Sequence, residues 1–381
     1  IVTDELSNEV KKLGAATADK REKLRKIAEY VRERIRYVAV EVGNGRWEPR
    51  SAAATLFDKY GDCKDKVTLM RAMLEVEGIP SCMALANTSF FVHTDLPSPF
   101  QFNHAIVAIP VSALESTASL EGAIAGGWLF FDPTDEVNPL GALPIQLQGN
   151  YVLVAGKADS ILVQLPYAKP DENRRTYEAD IVVESTAAMS ANVRIMDCGV
   201  YSNYVRYYAR TTVKEKQVES LRKSFAALLG DCSILDYQTG ENNDSIWTTF
   251  NVNAPQGARM NNSMMLVRPN IFQKEDFPSF AKSIRRYPIW FGGPHRIETK
   301  INVRIPGGWR LQDEALPSAK SACKNVARLE YEISAKAHAV HFRSLYEKSG
   351  ELLEPSDYET VRMFGREMRA YNKLTFILNS K

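Results

Sequence analysis

The chain has 381 residues, of which 45% are hydrophobic and 25% are charged, and its formal net charge at pH 7 is +2. This composition is typical of a globular protein, and the length predicts two domains. The nearly neutral charge gives no general attraction to nucleic acid or anionic membranes, and no apolar run is long enough to span a bilayer.

Helices are predicted first along the chain. Residues 19–35 place apolar side chains on one face and charged side chains on the other, as an amphipathic helix does. A short strand at 37–40 and a Gly- and Pro-rich loop at 43–49 follow. Residues 51–59 predict a second helix, for which Ser51 is a suitable N-cap.

Residues 59–66, with the sequence KYGDCKDK, lead into the third predicted helix. Apolar residues recur at helical spacing as far as Val76, and Gly78 and Pro80 end the pattern. Cys63 therefore lies in the first turn, where unpaired backbone N–H groups and the helix dipole favour the nucleophilic thiolate. The alternative is an inert, buried thiol.

Strands follow the helices, which predicts an α+β domain. The predicted strands of this domain are residues 83–88, 103–109, 128–131 and 151–154. A polar, Pro-containing segment near 166–173 is a suitable domain boundary. The remainder reads as β-rich, with strands at 177–183, 189–196, 245–252, 264–267, 296–303 and 327–333 and helices at 213–229 and 356–372.

A cysteine nucleophile needs a base and a group that orients the base. Among the five histidines, His104 begins an apolar strand in the same predicted domain as Cys63. Asp132 ends the next strand, and adjacent antiparallel strands would bring its carboxylate to His104. The alternatives are a hydrogen-bonded core histidine and an aspartate that starts the turn at Pro133.

No cofactor or metal site is predicted. Five widely spread cysteines without a Cys-x-x-Cys pair argue against a disulfide framework and a structural zinc site. His338 and His341 flank an apolar stretch but lack a third ligand. No loop has EF-hand spacing, and no nucleotide-binding glycine motif is present.

Three motifs together resemble a known family: GDCKDK at 61–66, NHA at 103–105 and DPT at 132–134. They are similar to the core of the transglutaminase-like superfamily, among the papain-like thiol enzymes. The resemblance is closest to a bacterial subgroup in which that core lies between two β-rich domains of uncharacterised function. It implies a linker remnant at 1–19, a papain-like or transglutaminase-like catalytic core at 20–165, and a β-rich carboxy-terminal domain at 166–381.

The resemblance also implies roles for individual residues. Cys63 would be the nucleophile, His104 the general base and acid, and Asp132 the residue that orients His104. Some related transglutaminases stabilise the oxyanion with an indole N–H upstream of the cysteine, which makes Trp47 a candidate donor; simple packing under its loop is the alternative.

The implied function is acyl transfer or amide hydrolysis on a protein or peptide substrate through a cysteine thioester. The alternatives are a cysteine protease or amidase without cross-linking activity, and a catalytically silent extracellular binding or scaffold module. The family resemblance suggests a periplasmic or secreted location. We expect no nucleic-acid partner and no cofactor.

Overall fold

A computed structural model of the chain describes residues 2–15, 17–39, 47–156, 159–242, 245–272, 277, 280, 282–313, 316–336 and 338–380. The chain divides into two compact units, residues 1–168 and 169–381. The predicted loop at 43–49 lies partly outside the described residues. No helix in the described ranges is long and apolar enough to cross a membrane.

The first unit packs helices on an antiparallel sheet. Its described helices are α1 (Asp4–Gly14), α2 (Lys20–Arg34), α3 (Ala52–Asp58) and α4 (Cys63–Val76). Its described strands are β1 (Arg36–Tyr37), β2 (Tyr60–Gly61), β3 (Cys82–Ala86), β4 (His104–Pro110), β5 (Ile124–Ala125), β6 (Trp128–Phe131), β7 (Tyr151–Ala155) and β8 (Ser160–Gln164). β1 and β2 form a parallel pair, and the main sheet has the order β5-β6-β4-β3-β7-β8.

The core of the first unit lies between α4 and this sheet. Met70, Met73 and Leu74 of α4 are fully buried, as are Ile106 and Val107 of β4. Central strand β4 is therefore buried along most of its length, and the helix that begins at Cys63 packs against it.

Helix α1 lies within residues 1–19, where the sequence predicted a linker. Thr3 caps this helix by accepting a hydrogen bond from the backbone N–H of Leu6. Leu6 and Val10 are fully buried in the core of the first unit, and partly buried Leu13 packs against that core. The segment is thus part of the folded unit.

The second unit is β-rich. Its described helices are α5 (Val200–Thr211), α6 (Lys214–Leu229) and α7 (Tyr358–Tyr371). Its first strands are β9 (Arg174–Val183), β10 (Met189–Cys198), β11 (Ser233–Glu241), β12 (Ser245–Ala254), β13 (Arg259–Asn261), β14 (Met264–Val267) and β15 (Ile289–Trp290). The later strands are β16 (His295–Arg304), β17 (Trp309–Leu311), β18 (Ser318–Cys323), β19 (Ala327–Lys336), β20 (Ala339–Lys348), β21 (Leu352–Leu353) and β22 (Phe376–Ser380).

An eight-stranded sheet dominates the second unit, with the order β11-β12-β10-β9-β16-β20-β19-β18. All its pairings are antiparallel except that of β9 with β16. A four-stranded sheet has the order β13-β14-β22-β17, and β15 pairs with β21. Alternate residues of β12 are buried, so one face of the large sheet packs on the core. The predicted α+β class with a β-rich carboxy-terminal part is confirmed.

Candidate active site

The position of Cys63 is determined by the way α4 begins. The N-cap residue Asp62 accepts a hydrogen bond from the backbone N–H of Asp65 at 3.2 Å, and the Asp65 carboxylate accepts one from the backbone N–H of Asp62 at 3.2 Å. This reciprocal capping box fixes the first turn. Cys63 is therefore the first helical residue, and its side chain is half-buried.

Asp65 also ties a neighbouring loop to this turn. Its second carboxylate oxygen accepts a hydrogen bond from the backbone N–H of Arg50 at 2.8 Å. Gly61 approaches so closely that a Cβ atom at this position would lie 2.6 Å from the Cβ of Asp65. The residue before the cap must therefore lack a side chain for Asp65 to reach both partners.

The sheet supplies the other two predicted residues. His104 is the first residue of β4, which pairs with β6, and Asp132 follows the end of β6 directly. His104 Nε2 lies 2.8 Å from Asp132 Oδ2, and the two side chains are 10% and 6% exposed. The Cys63 side chain also interacts with His104, and this interaction raises the pKa of His104. The structure thus brings Cys63, His104 and Asp132 together at one site.

Electrostatics favour a charged pair of His104 and Asp132 at this site. Burial alone would lower the pKa of His104, but the hydrogen bond to Asp132 and the interaction with Cys63 outweigh this effect and raise that pKa to about 10. Burial opposes ionisation of Asp132, but the bond from His104 and those from Thr134 hold the pKa of this carboxyl below its usual value. Thr134 donates to Asp132 Oδ1 from its backbone N–H at 2.9 Å and from its hydroxyl at 2.7 Å. Asp132 is therefore a fixed, anionic partner for the imidazolium.

These shifts predict a pH-dependent contribution to stability. Because the folded protein binds the His104 proton more tightly than the unfolded chain does, the stabilisation is fully present below pH 6.5 and is lost as the pH rises through about 10. The share from Asp132 is lost at the acid end, as the pH falls below 3.8. We expect His104→Gln to lose a few kcal/mol of unfolding free energy at pH 6 and little above pH 10.

The measurement is denaturant unfolding across this pH range, with hydrogen exchange of α4 peptides as a local readout of the first unit. His341→Gln is a matched control, because His341 Nδ1 also donates one hydrogen bond, to Asn302 Oδ1 at 2.8 Å, but His341 lies in the second unit. A stability loss in His104→Gln that is equal at pH 6 and pH 10.5 would contradict the ion pair.

The candidate oxyanion donor Trp47 lies in a turn and is 60% exposed. Its ring stands edge-on to Phe100, with centroids 6.2 Å apart and an angle of 78° between the planes. Phe100 belongs to the short 3-10 turn Pro99–Gln101, which precedes His104. The role of Trp47 as a donor stays a prediction.

Two other residues in the motif have defined partners. Lys64 forms an ion pair with Asp62, so its ammonium group lies at the helix cap. Lys66, which the sequence analysis did not single out, is fully buried. Its signal in the sequence was a lysine on the apolar stripe of α4, at helical spacing from Met70 and Met73.

Within the described residues, no group of His, Cys, Asp and Glu side chains is arranged to hold a metal ion.

Comparisons with known proteins agree with this fold. Residues 7–133, which include all three site residues, match the transglutaminase-like superfamily, and residues 263–378 match a domain of unknown function with solved structures (DUF3858). The fold resembles that of a candidate protease from Parabacteroides distasonis, with a TM-score of 0.52 and 13% sequence identity. The match covers 98% of this chain and 55% of that protein. No protein of curated function matches the chain. The predicted transglutaminase-like core is confirmed.

Proposed function

We propose that this chain, whose first unit has a transglutaminase-like core, is a cysteine-dependent enzyme that transfers acyl groups from amides of protein or peptide substrates. The observation that carries the proposal is the convergence of three side chains, since His104 is hydrogen-bonded to Asp132 and also interacts with Cys63. It places the start of helix α4 beside the ends of two neighbouring strands, β4 and β6, and it supplies a nucleophile, a proton carrier and an orienting anion.

In the first half-reaction the Cys63 thiolate attacks the carbonyl carbon of an amide. Negative charge develops on the carbonyl oxygen, and the backbone N–H of Cys63, at the first position of α4, is a donor with no intrahelical acceptor. The carbon–nitrogen bond then breaks, and the His104 imidazolium gives its proton to the leaving amine. A thioester between Cys63 and the acyl group results.

In the second half-reaction the acceptor attacks the thioester. His104, now neutral, takes a proton from the acceptor, the carbon–sulfur bond breaks and the thiolate is restored. A water molecule as acceptor gives a carboxylic acid, whereas a lysine-type amine gives a new amide. Asp132 bonds to Nε2 of His104, which holds the imidazole in one orientation and stabilises the imidazolium. Nδ1 of His104 then remains available to the sulfur of Cys63.

A casein substrate with a fluorescent primary amine tests the proposal and separates the two acceptors. Fluorescence in the protein indicates transamidation, whereas new peptide amino termini indicate hydrolysis. The protein of similar fold from Parabacteroides distasonis is described as a candidate protease. New peptide amino termini, the product of hydrolysis, should therefore be assayed first. The test includes a Cys63→Ala variant, since activity in that variant would exclude this mechanism.

The alternative function is that of a catalytically silent binding or scaffold module. A binding module has no need of a cysteine beside a buried imidazolium that is hydrogen-bonded to a buried carboxylate. If the wild-type chain formed neither product and its Cys63 were no more reactive than an ordinary thiol, the binding module would be the better account.

A further inference from the structure

The second unit contains a cavity that the proposed reaction does not use. It has a volume of about 280 Å³ and is lined by helices α5 and α6 and by strands of the eight-stranded sheet. Tyr204 of α5 and Ser220 and Ser224 of α6 are exposed members of its lining, so the cavity opens between the two helices. Small-molecule sites begin at about 300 Å³, so this cavity suits a ligand of one or two rings.

Aromatic rings form much of the cavity wall. Tyr204 and Tyr208 lie one turn apart on α5, with their ring planes 7° apart and their centroids separated by 6.3 Å. Across the cavity lining, Tyr177 of β9 stacks on Phe272 with centroids 4.3 Å apart. Tyr204 is 56% exposed although it is a large aromatic residue. Its ring therefore offers a flat apolar surface to a ligand that enters the cavity.

The sheet supplies polar groups to the same cavity. Thr248 of β12 is only 8% exposed, and its hydroxyl has no hydrogen-bond partner in the described part of the chain. Asp197 of β10 is 2% exposed, and its Oδ1 accepts a hydrogen bond from Arg175 Nε at 2.5 Å. No donor among the described residues reaches its Oδ2. Polar groups at this depth need partners, because an unmade hydrogen bond costs free energy, and these two groups are available to a ligand.

The charges in the cavity lining compensate each other. Arg175 is paired with Asp197, and its guanidinium lies over the rings of Tyr177 and Tyr201, 5.8 and 4.6 Å from their centroids. A cationic ligand would meet aromatic faces that already hold a cation, and an anionic ligand would meet the carboxylate of Asp197. The cavity therefore favours a neutral ligand.

The other polar groups of the lining are neutral as well. Gln217 Oε1 accepts a hydrogen bond from the Tyr237 hydroxyl at 2.8 Å, and the two serines of α6 add hydroxyls near the mouth. A sugar ring carries C–H groups on its faces and hydroxyls on its rim, so it complements both the tyrosine rings and the polar groups. A purely apolar ring would leave the Thr248 hydroxyl and the Asp197 carboxylate without partners.

We propose that this cavity binds the ring of a neutral hexose or N-acetylhexosamine, which stacks on Tyr204 and forms hydrogen bonds with Thr248 and Asp197. The site is separate from Cys63, and its occupancy does not depend on the proposed reaction. A free sugar and the end ring of a glycan share this chemistry. The competing view is that the cavity is only a gap in the packing of two helices on the sheet.

The first test titrates the full chain with glucose, galactose, mannose and N-acetylglucosamine and measures each Kd by saturation-transfer NMR. At least one of these sugars should bind with a Kd of about 10 mM or less. Thr248→Val keeps the shape of the side chain and removes the hydroxyl, so we expect the affinity to fall about fivefold or more. Thr249→Val is the matched control, because Thr249 is the next residue of β12 and its side chain lies on the opposite face of the sheet.

The second variant is Tyr204→Ala, which should stay folded because the side chain is exposed. Loss of the stacking surface should weaken the same sugar about tenfold or more. Tyr287→Ala is its control, since Tyr287 is 75% exposed in the second unit but does not line the cavity, and it should leave the affinity unchanged. If Thr248→Val does not fold, Tyr204→Ala decides.

A trisaccharide that ends in the best-binding sugar identifies the source of the ligand. Tighter binding than that of the monosaccharide supports the end of a glycan, and weaker binding supports a free sugar. The proposal is overturned if none of the four sugars binds below about 50 mM, or if Thr248→Val and Thr249→Val lose affinity equally. Tighter binding of indole, choline or glucuronate than of every neutral sugar would also overturn it, because the ligand would then be apolar, cationic or anionic.

Discussion

Replacing Cys63 with alanine is expected to lower kcat/KM for amide turnover by about 10⁴-fold or more. No thioester forms without the sulfur, and neither His104 nor Asp132 can replace it as nucleophile. The substitution removes one atom from a half-buried position, and the capping box that starts α4 involves Asp62 and Asp65 instead. We therefore expect the variant to stay folded, so that kcat/KM on casein reports the chemistry alone.

Cys82→Ala is the matched control for this prediction. Cys82 is also half-buried in the first unit, but it begins β3 and is not among the groups that act on the pKa of His104. Its replacement should leave kcat/KM within about twofold of wild type. If Cys63→Ala kept activity within about tenfold of wild type, Cys63 would not be the nucleophile.

The second large effect is expected for Asp132→Asn, which should lower kcat by about 10²- to 10⁴-fold with little change in KM. Asparagine fills nearly the same space but lacks the charge that stabilises the His104 imidazolium. The pKa of His104 should therefore fall, and the alkaline limb of the pH–rate profile should move to lower pH. A pH series of kcat and KM measures both effects.

Asp135→Asn, which removes a neighbouring carboxylate, is the matched control for this prediction. Asp135 accepts hydrogen bonds from the backbone N–H of Val137 at 2.8 Å and from the side chain of Asn138 at 2.6 Å. Its loss should affect the local turn and leave the alkaline limb in place. An alkaline limb that stays at the wild-type pH in Asp132→Asn would contradict the role assigned to Asp132.

The helix that carries Cys63 was predictable because its signals are local. Apolar spacing predicted the buried face of α4, and the motif before it predicted the start at Cys63. Helix α1 was missed because it is short and its inward positions are few, Leu6, Val10 and Leu13. Its local signals, the cap at Thr3 and three apolar residues at helical spacing, cover only three turns, so that the helix depends on packing in the core for its stability.

The contacts between distant segments explain what else was missed. The approach of Asp132 to His104 depends on the antiparallel pairing of β4 with β6, which could be proposed from strand order. The parallel pairing of β9 with β16 joins residues more than a hundred positions apart, as Arg174 and Arg296 illustrate, and no local signal predicts it. Lys66 was missed for a similar reason, because its acceptor carbonyl belongs to Ile35 of another segment.

The most direct test of the central claim is the rate at which iodoacetamide modifies each of the five cysteines in the wild-type chain at pH 6, read by peptide mass spectrometry. An ordinary thiol is almost entirely protonated at this pH, and burial raises the pKa of Cys232 and, to about 11, that of Cys323. Cys82 and Cys198 are half-buried, as Cys63 is, and are the matched internal standards. A thiolate held by the His104 imidazolium should react about 100-fold faster than either. Equal, slow modification of Cys63, Cys82 and Cys198 would contradict an activated nucleophile at the start of α4.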